Sequence, residues 1–385
     1  MNKQINGAEN SSAPSSSALL SVTSVLIFAL SGAILPLMLL QSNLLPIFAW
    51  VTFILCIATL FSLTKRIFLC IIAVMSFASL ASSSALIGIS AAAIGCIMSI
   101  GLFSSQILIG RKGSIISAIL SPVSAYLLSF ALTGNLIVSA FSLICLPAAL
   151  GIGIAKRRGA SLGTVCISGT AATIISALAV MLIDIVAYYG YLSLDLVRSI
   201  IESSQNIAIE FLKIAFTAAG TAVTDVYAAN IADIVSSVMN LLPGVVCMTL
   251  LIACYLSHGI CKRAAESADV DGGDSTLTYS TISAIVFIAC YVLSFTTDSS
   301  GNVAFISTVG ANLAFMLLPG LLIIGITALV KMIFKLRLIG LILAAAVIFA
   351  TFSFSLFILA LLGAAYTIIV NVDVWAKDHY SKNNN

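Results

Sequence analysis

Apolar residues fill this chain in long runs, from Leu19 to Val186 and again from Pro243 almost to the C-terminus, without the period-two alternation of strands. Lipid cannot hydrogen-bond a free backbone group, and a helix needs about 20 apolar residues to cross the hydrocarbon, so the runs predict membrane-spanning helices. The first runs are Leu19 to Leu40, which carries Pro36, and Leu44 to Thr64, which ends at Lys65-Arg66. An uncharged run over residues 67–110 follows, then Ser114 to Leu132 with Pro122, Leu136 to Ala155 before Lys156-Arg157-Arg158, and a run from Leu162 to near Asp184. Beyond the centre come Pro243 to Ile260 before Lys262-Arg263, Tyr279 to Thr297, Val303 to Val330 before Lys331, Lys335 and Arg337, and Leu338 to Val372. As one helix, residues 67–110 would measure about 65 Å, roughly twice the hydrocarbon thickness, so this run is expected to fold back at Ser82-Ser83-Ser84. Leu338 to Val372 is likewise expected to form two short spans.

Between Tyr188 and Leu242 the pattern changes. Leu194, Val197, Ile201, Ser204, Ala208, Phe211 and Ala215 follow three-four spacing, while Asp195, Arg198, Glu202, Asn206 and Lys213 occupy other faces, which predicts an amphipathic helix. A second helical face carries Asp225, Ala229, Asp233, Ser237 and Asn240, with Tyr227 and Asn230 nearby.

Charge orients these elements. With about twelve spans (ten to twelve, depending on how the two long runs fold) and both termini inside, every Lys and Arg except Arg198 and Lys213 falls on the cytoplasmic side. The expected organisation is a cytoplasmic tail over residues 1–18, taken as disordered, a helical membrane bundle over 19–187 and an extracytoplasmic amphipathic helical segment over 188–242. A second bundle over 243–374 and a cytoplasmic tail over 375–385 complete it. The first helix is read as retained rather than cleaved, because its apolar core is too long for a signal peptide.

Composition agrees: 61 % hydrophobic residues, 8 % charged residues and a mean hydropathy of +1.19 place the chain among all-α polytopic membrane proteins. The net charge of +3 is small and gives no reason to expect nucleic acid as a partner. All nine cysteines lie in or at the ends of apolar runs without a CxxC pair, as small core residues do, rather than as a disulfide framework.

Few residues offer chemistry. The acidic stripe has no balancing cation, so Asp225, Tyr227, Asn230 and Asp233, with the mid-span Asn312, form the candidate ligand site, a wet outer face being the plain alternative. Gln106 is the other mid-span amide that needs an interior partner. Cys254, His258 and Cys261 share a helical face, but three side chains on one straight helix cannot surround an ion, and no metal or cofactor is assigned. Asp184 precedes Tyr188, Tyr189 and Tyr191, which read as an interfacial aromatic belt. Small residues recur every fourth place at Ser84, Gly88, Ala92 and Cys96, and at Gly169, Thr173 and Ala177, as helix-packing ridges do. Pro147, Pro243 and Pro319 lie at similar places in three spans, through a shared packing need or an ancestral repeat. HExxH, GxSxG and Walker A sequences are absent, so no enzyme is expected, and an ATP-driven function would need a separate ATPase chain.

Leu146-Pro147-Ala148-Ala149 through Gly151 to Lys156-Arg157-Arg158, the central amphipathic stretch, Leu242-Pro243-Gly244 and the closing Asp373-Val374-Trp375 come in a familiar order. From about Ser114 onward the chain resembles the YybS-like family of bacterial multi-pass membrane proteins. Here the basic residue usual soon after the Trp is represented only by Lys377, and the N-terminal part has extra apolar length. That family looks distantly like the substrate-binding S components of energy-coupling-factor transporters, which hold a vitamin or metal and dock on a coupling subunit with ATPases. The resemblance implies a small-molecule-binding or transport component of the bacterial cytoplasmic (inner) membrane, whose partners are the lipid bilayer and such a coupling subunit. The alternative is an envelope scaffold that assembles with other envelope proteins. The resemblance supplies no site residues.

Overall fold

The computed structural model describes residues 16–65, 71, 74, 84–218, 225–272, 277–297, 305–354 and 356–383, and their regular structure is helical. In chain order the helices are α1 (Ser16–Leu39), α2 (Leu45–Thr64), α3 (Ser84–Ile109), α4 (Lys112–Thr133), α5 (Leu136–Ala140), α6 (Leu146–Arg157), α7 (Leu162–Tyr189), α8 (Leu194–Ala218), α9 (Asp225–Glu266), α10 (Thr281–Leu293), α11 (Phe305–Phe354) and α12 (Phe357–Asn383). Among the described residues, eight helical segments are long and apolar enough to cross a membrane, and α10 and the apolar part of α12 are shorter. The chain is thus an all-α protein with the make-up of a multi-pass membrane protein. The first arm of the expected 67–110 hairpin and most of its turn lie outside the described residues.

Two compact units emerge. The first comprises Met1–Ala160, Ala171–Ala177 and Cys254–Asp274, so it takes in the last turns of α9 from beyond the central segment. The second comprises Ser161–Thr170, Leu178–Ala253 and Ser275–Asn385.

In the first unit α3 is the central helix. It packs against α1, α2, α4 and α6, and its residues from Met98 to Gln106, with the exception of none, are buried. The face of α3 leading there is Gly88, Ala91 and Gly95, so the ridge expected at Ala92 and Cys96 lies one residue off: those two side chains are only half-buried. Gly95 gives α1 its closest approach, because a Cβ there would stand 2.6 Å from Ser31 Cβ. Beside it the Ser31 and Ser99 hydroxyls share a hydrogen bond of 2.6 Å. On α4 the buried face is Ser114, Ser117, Ser121, Ala125 and Ser129, a small-residue stripe that lets α1 lie close.

Basic residues mark one end of this unit. Lys65 caps α2 in the left-handed conformation, and Arg111 caps the start of α4 while its Nη2 donates to the Ala268 carbonyl at 3.2 Å. The span expected from Leu136 to Ala155 is instead divided into α5, a 3-10 turn over Phe141–Leu143, and α6, which runs on to Arg157. Asn135 caps α5 by accepting from the Ile137 and Val138 amides, and Pro147 stands in the first turn of α6, where its missing N–H has no intrahelical partner to lose.

The second unit has an aromatic and glycine-lined core. Tyr291 and Phe357 stack at 5.0 Å, Phe315 meets Phe357 edge-on at 5.5 Å, and Phe287 is fully buried beneath them. Gly325 lies against the Leu359 carbonyl and Gly363 against the Leu321 carbonyl, so α11 and α12 touch backbone to backbone where any side chain would collide. The contact also shapes α11. A straight helix from Gly325 to Phe354 would span about 43 Å, whereas the five residues from Phe354 to Leu359 reach at most about 18 Å, so α11 bends sharply between those points. The sequence expectation was a span ending at Val330 and two short spans over Leu338 to Val372, whereas α11 continues as one helix from Phe305 to Phe354.

Candidate functional site

In α9 the expected acidic outer helix and the span that opens at Pro243 are one helix of 42 residues, with the proline inside it. Proline has no N–H, and its ring presses on the carbonyl four residues back, which weakens the helix at this level. The next amide, that of Gly244, belongs opposite the Asn240 carbonyl in an unbroken helix. Asn312 of α11 bridges these two groups: its Oδ1 accepts from the Gly244 N–H at 2.6 Å, and its Nδ2 donates to the Asn240 carbonyl at 2.8 Å. The second Nδ2 proton goes to the Thr308 carbonyl at 2.9 Å, one turn back in α11. Both amide protons are therefore used, and only one lone pair of Oδ1 is left over.

Gly244 makes the bridge sterically feasible. A Cβ there would lie 2.8 Å from the Asn312 Cα and 2.8 Å from its Oδ1. Asn312 thus acts as a backbone clamp beside Pro243 within a continuous helix, and its side chain has little capacity left for a ligand.

The remaining candidates lie farther up α9. Asp233 and Asn230 are exposed, and Asp233 stands on the side opposite the buried Ile231 and Val235. Asp225 and Tyr227 belong to the first turn of α9, and their side chains lie outside the described part of the structure. At 1.5 Å per residue, Asp225 and Gly244 are about 28 Å apart along a straight helix, so the stripe and Asn312 are spread along α9 and do not converge on one point. The stripe is uncovered by other described residues at its Asn230 and Asp233 positions.

The helix before it is partly open. In α8, Leu194 is 89 % and Ile207 70 % exposed while Leu196, Val197, Ile200 and Ala208 are half-buried, and Lys213 pairs with Glu210 at 2.9 Å. Tyr188, Tyr189 and Tyr191 are exposed at the end of α7, as an interfacial belt requires, whereas the side chain of Asp184 lies outside the described part.

Two other groups of candidates sit in the first unit. Gln106 is fully buried, with its Oε1 accepting from the Ser21 hydroxyl at 3.3 Å and its Nε2 without a hydrogen-bond partner among the described residues. Cys254, His258 and Cys261 are buried on the last turns of α9, yet among the described residues no three His, Cys, Asp or Glu side chains converge as a metal site needs. None of the eight described cysteines is in a disulfide, and Cys70 lies outside the described residues.

The proline clamp was not foreseen as a pair. Its signals were present in the Pro243-Gly244 dipeptide inside an apolar run and in the lone mid-span asparagine on a distant segment. Comparisons of the chain with protein-family models, with curated proteins and with solved structures return no match.

Proposed function

We propose that this integral membrane protein is a small-molecule-binding or transport component of the bacterial cytoplasmic membrane. Its proposed topology is about twelve spans with both termini inside, in keeping with its resemblance to the YybS-like family. The observation that carries the reading is Pro243 inside the continuous helix α9, beside which Asn312 makes two backbone hydrogen bonds. Helices interrupted within the membrane and mended by a neighbour recur in transporters, where the loosened backbone lies beside the substrate path. The acidic stripe of Asp225 and Asp233, with Tyr227 and Asn230, then forms the outer approach for a cationic or polar solute, and Asn312 shapes the path below it. A separate coupling subunit with ATPases is the partner this reading calls for, since the chain has no nucleotide-binding motif of its own.

Native mass spectrometry of the protein extracted in mild detergent tests the reading. A bound small molecule, or a coupling subunit with ATPases, supports it; an envelope-synthesis or division protein without ligand replaces it. Where uptake or binding is measured, Asp225→Asn with Asp233→Asn is expected to weaken it. Unchanged uptake in that double variant removes the stripe from the site.

The second reading is an envelope scaffold, favoured by the exposed apolar residues Leu194, Ile201 and Ile207 of α8. It makes them a docking surface for another envelope protein, so charge placed at Ile207 would abolish assembly and leave any uptake intact.

A further inference from the structure

A groove in the first unit is open, almost wholly apolar and charged at one end. It has a volume of about 450 Å³ and runs between the last turns of α2 (Leu60, Leu63, Thr64), the middle of α3 (Ile94, Ile97, Met98) and the last turns of α9 (Leu256, Gly259, Ile260, Arg263). Its floor is rigid. The Ser257 hydroxyl donates to the Ile97 carbonyl at 3.0 Å, and Gly101 lets Ile260 approach so closely that a Cβ there would stand 2.7 Å from it. Gly259, by contrast, has nothing within 4 Å of where its Cβ would be. A glycine inside a helix weakens it by roughly 1 kcal/mol relative to alanine, and this one leaves a gap on the groove side instead of allowing a close helix contact.

Polar groups narrow the class of occupant. Thr64 has its hydroxyl bonded to the Leu60 carbonyl at 2.7 Å, so Arg263 is the one lining residue with hydrogen-bond donors to offer an anion. Arg263 is half-exposed, with Lys262 next to it in the chain and Lys65 following Thr64. Lys262 and Lys65 lie beside the lining rather than in it, and Glu266 stands 3.6 Å from Arg263 and 3.9 Å from Lys262, so the cation that the groove itself presents is the guanidinium of Arg263 at its end. The complement of this surface is a long apolar body with one anionic end, lying along a membrane helix bundle with its charge at the basic boundary.

We propose that the α2–α3–α9 groove is a binding site for a phospholipid with an anionic headgroup, one acyl chain lying over Gly259 and the phosphate meeting Arg263. This does not depend on whether the protein transports a solute.

The test is native mass spectrometry of the full-length protein titrated with phosphatidylglycerol and, separately, with phosphatidylcholine of the same acyl chains. The wild type is expected to retain phosphatidylglycerol preferentially. Arg263→Gln should reduce that preference about fivefold, the effect of one basic residue at an anionic surface. Gly259→Phe, which fills the groove, should remove the retained lipid, while Gly113→Phe, a second helical glycine with open space beside it, should leave retention as in the wild type. Thermal unfolding in detergent identifies any variant that fails to fold, and Gly259→Leu serves if Gly259→Phe does so. Equal retention of the two lipids, or undiminished retention in a folded Gly259→Phe or Gly259→Leu protein, overturns the proposal. So does a co-purifying polypeptide that protects the groove in place of lipid.

Discussion

The carboxamides of Gln106 in the first unit, fully buried, and Asn312 in the second, half-buried, are used differently. In the first, Gln106 is enclosed by a helix core rich in hydroxyls, where one oxygen is engaged and one nitrogen is not. In the second, Asn312 places three hydrogen bonds on backbone groups, two of them at a level where proline has weakened the helix. A polar side chain in hydrocarbon surroundings is therefore no guide by itself to stability. What matters is which groups lose a bond: removing Gln106 takes one long hydrogen bond from the half-buried Ser21, while removing Asn312 takes the side-chain partner from the buried Gly244 amide and from the Asn240 carbonyl.

Substitutions can break this contrast. Asn312→Leu should be the most damaging, costing about 2–4 kcal/mol because the Gly244 amide and the Asn240 carbonyl both lose their partner. It would be seen as a large fall in thermal unfolding temperature in detergent. Gly244→Ala should follow, at roughly 1–3 kcal/mol, since its methyl overlaps Asn312 and pushes the clamp apart. Ser31→Ala should cost about 0.6 kcal/mol, the usual worth of an interhelical hydrogen bond in a membrane bundle, and a double-mutant cycle with Ser99→Ala isolates it. The smallest effect belongs to Gln106→Leu, within about 1 kcal/mol of neutral in either direction, because the leucine removes an unmatched donor along with one long hydrogen bond. Should Gln106→Leu destabilise as strongly as Asn312→Leu, the first unit also depends on its amide and the contrast fails.

The all-helical, apolar make-up could be read from the chain, as could the turn at Thr133-Gly134-Asn135, where Gly134 takes a positive φ of 66°, whereas about twelve spans were expected and eight helical segments among the described residues are long and apolar enough to cross a membrane. The amphipathic character of α8 was legible too, since polar and apolar positions differ there. Elsewhere the pattern is silent about which side of a helix is buried, because lipid is as apolar as the core. That is why the ridge on α3 was expected at Ala92 and Cys96 and is found at Ala91 and Gly95. Proline posed a related problem. Pro147 begins a helix, whereas Pro243 and Pro319 lie inside theirs, and the dipeptide Leu-Pro is the same in all three places. For the candidate site, spacing on α9 correctly placed Asp233 away from the buried face, but Asn312 belonged to a main-chain contact with a segment 68 residues distant, which no local pattern encodes.

The clamp in α9 imposes a joint constraint on sequence change. Pro243 creates the weak point, Gly244 makes room for the repair, and the side chain at 312 must present an acceptor and a donor at a fixed reach, which leucine, aspartate and glutamine each fail in a different way. Among natural variants of this chain, these three positions should consequently change together or not at all: a lineage that replaces Pro243 with an ordinary helix former is released from needing both the glycine and the asparagine.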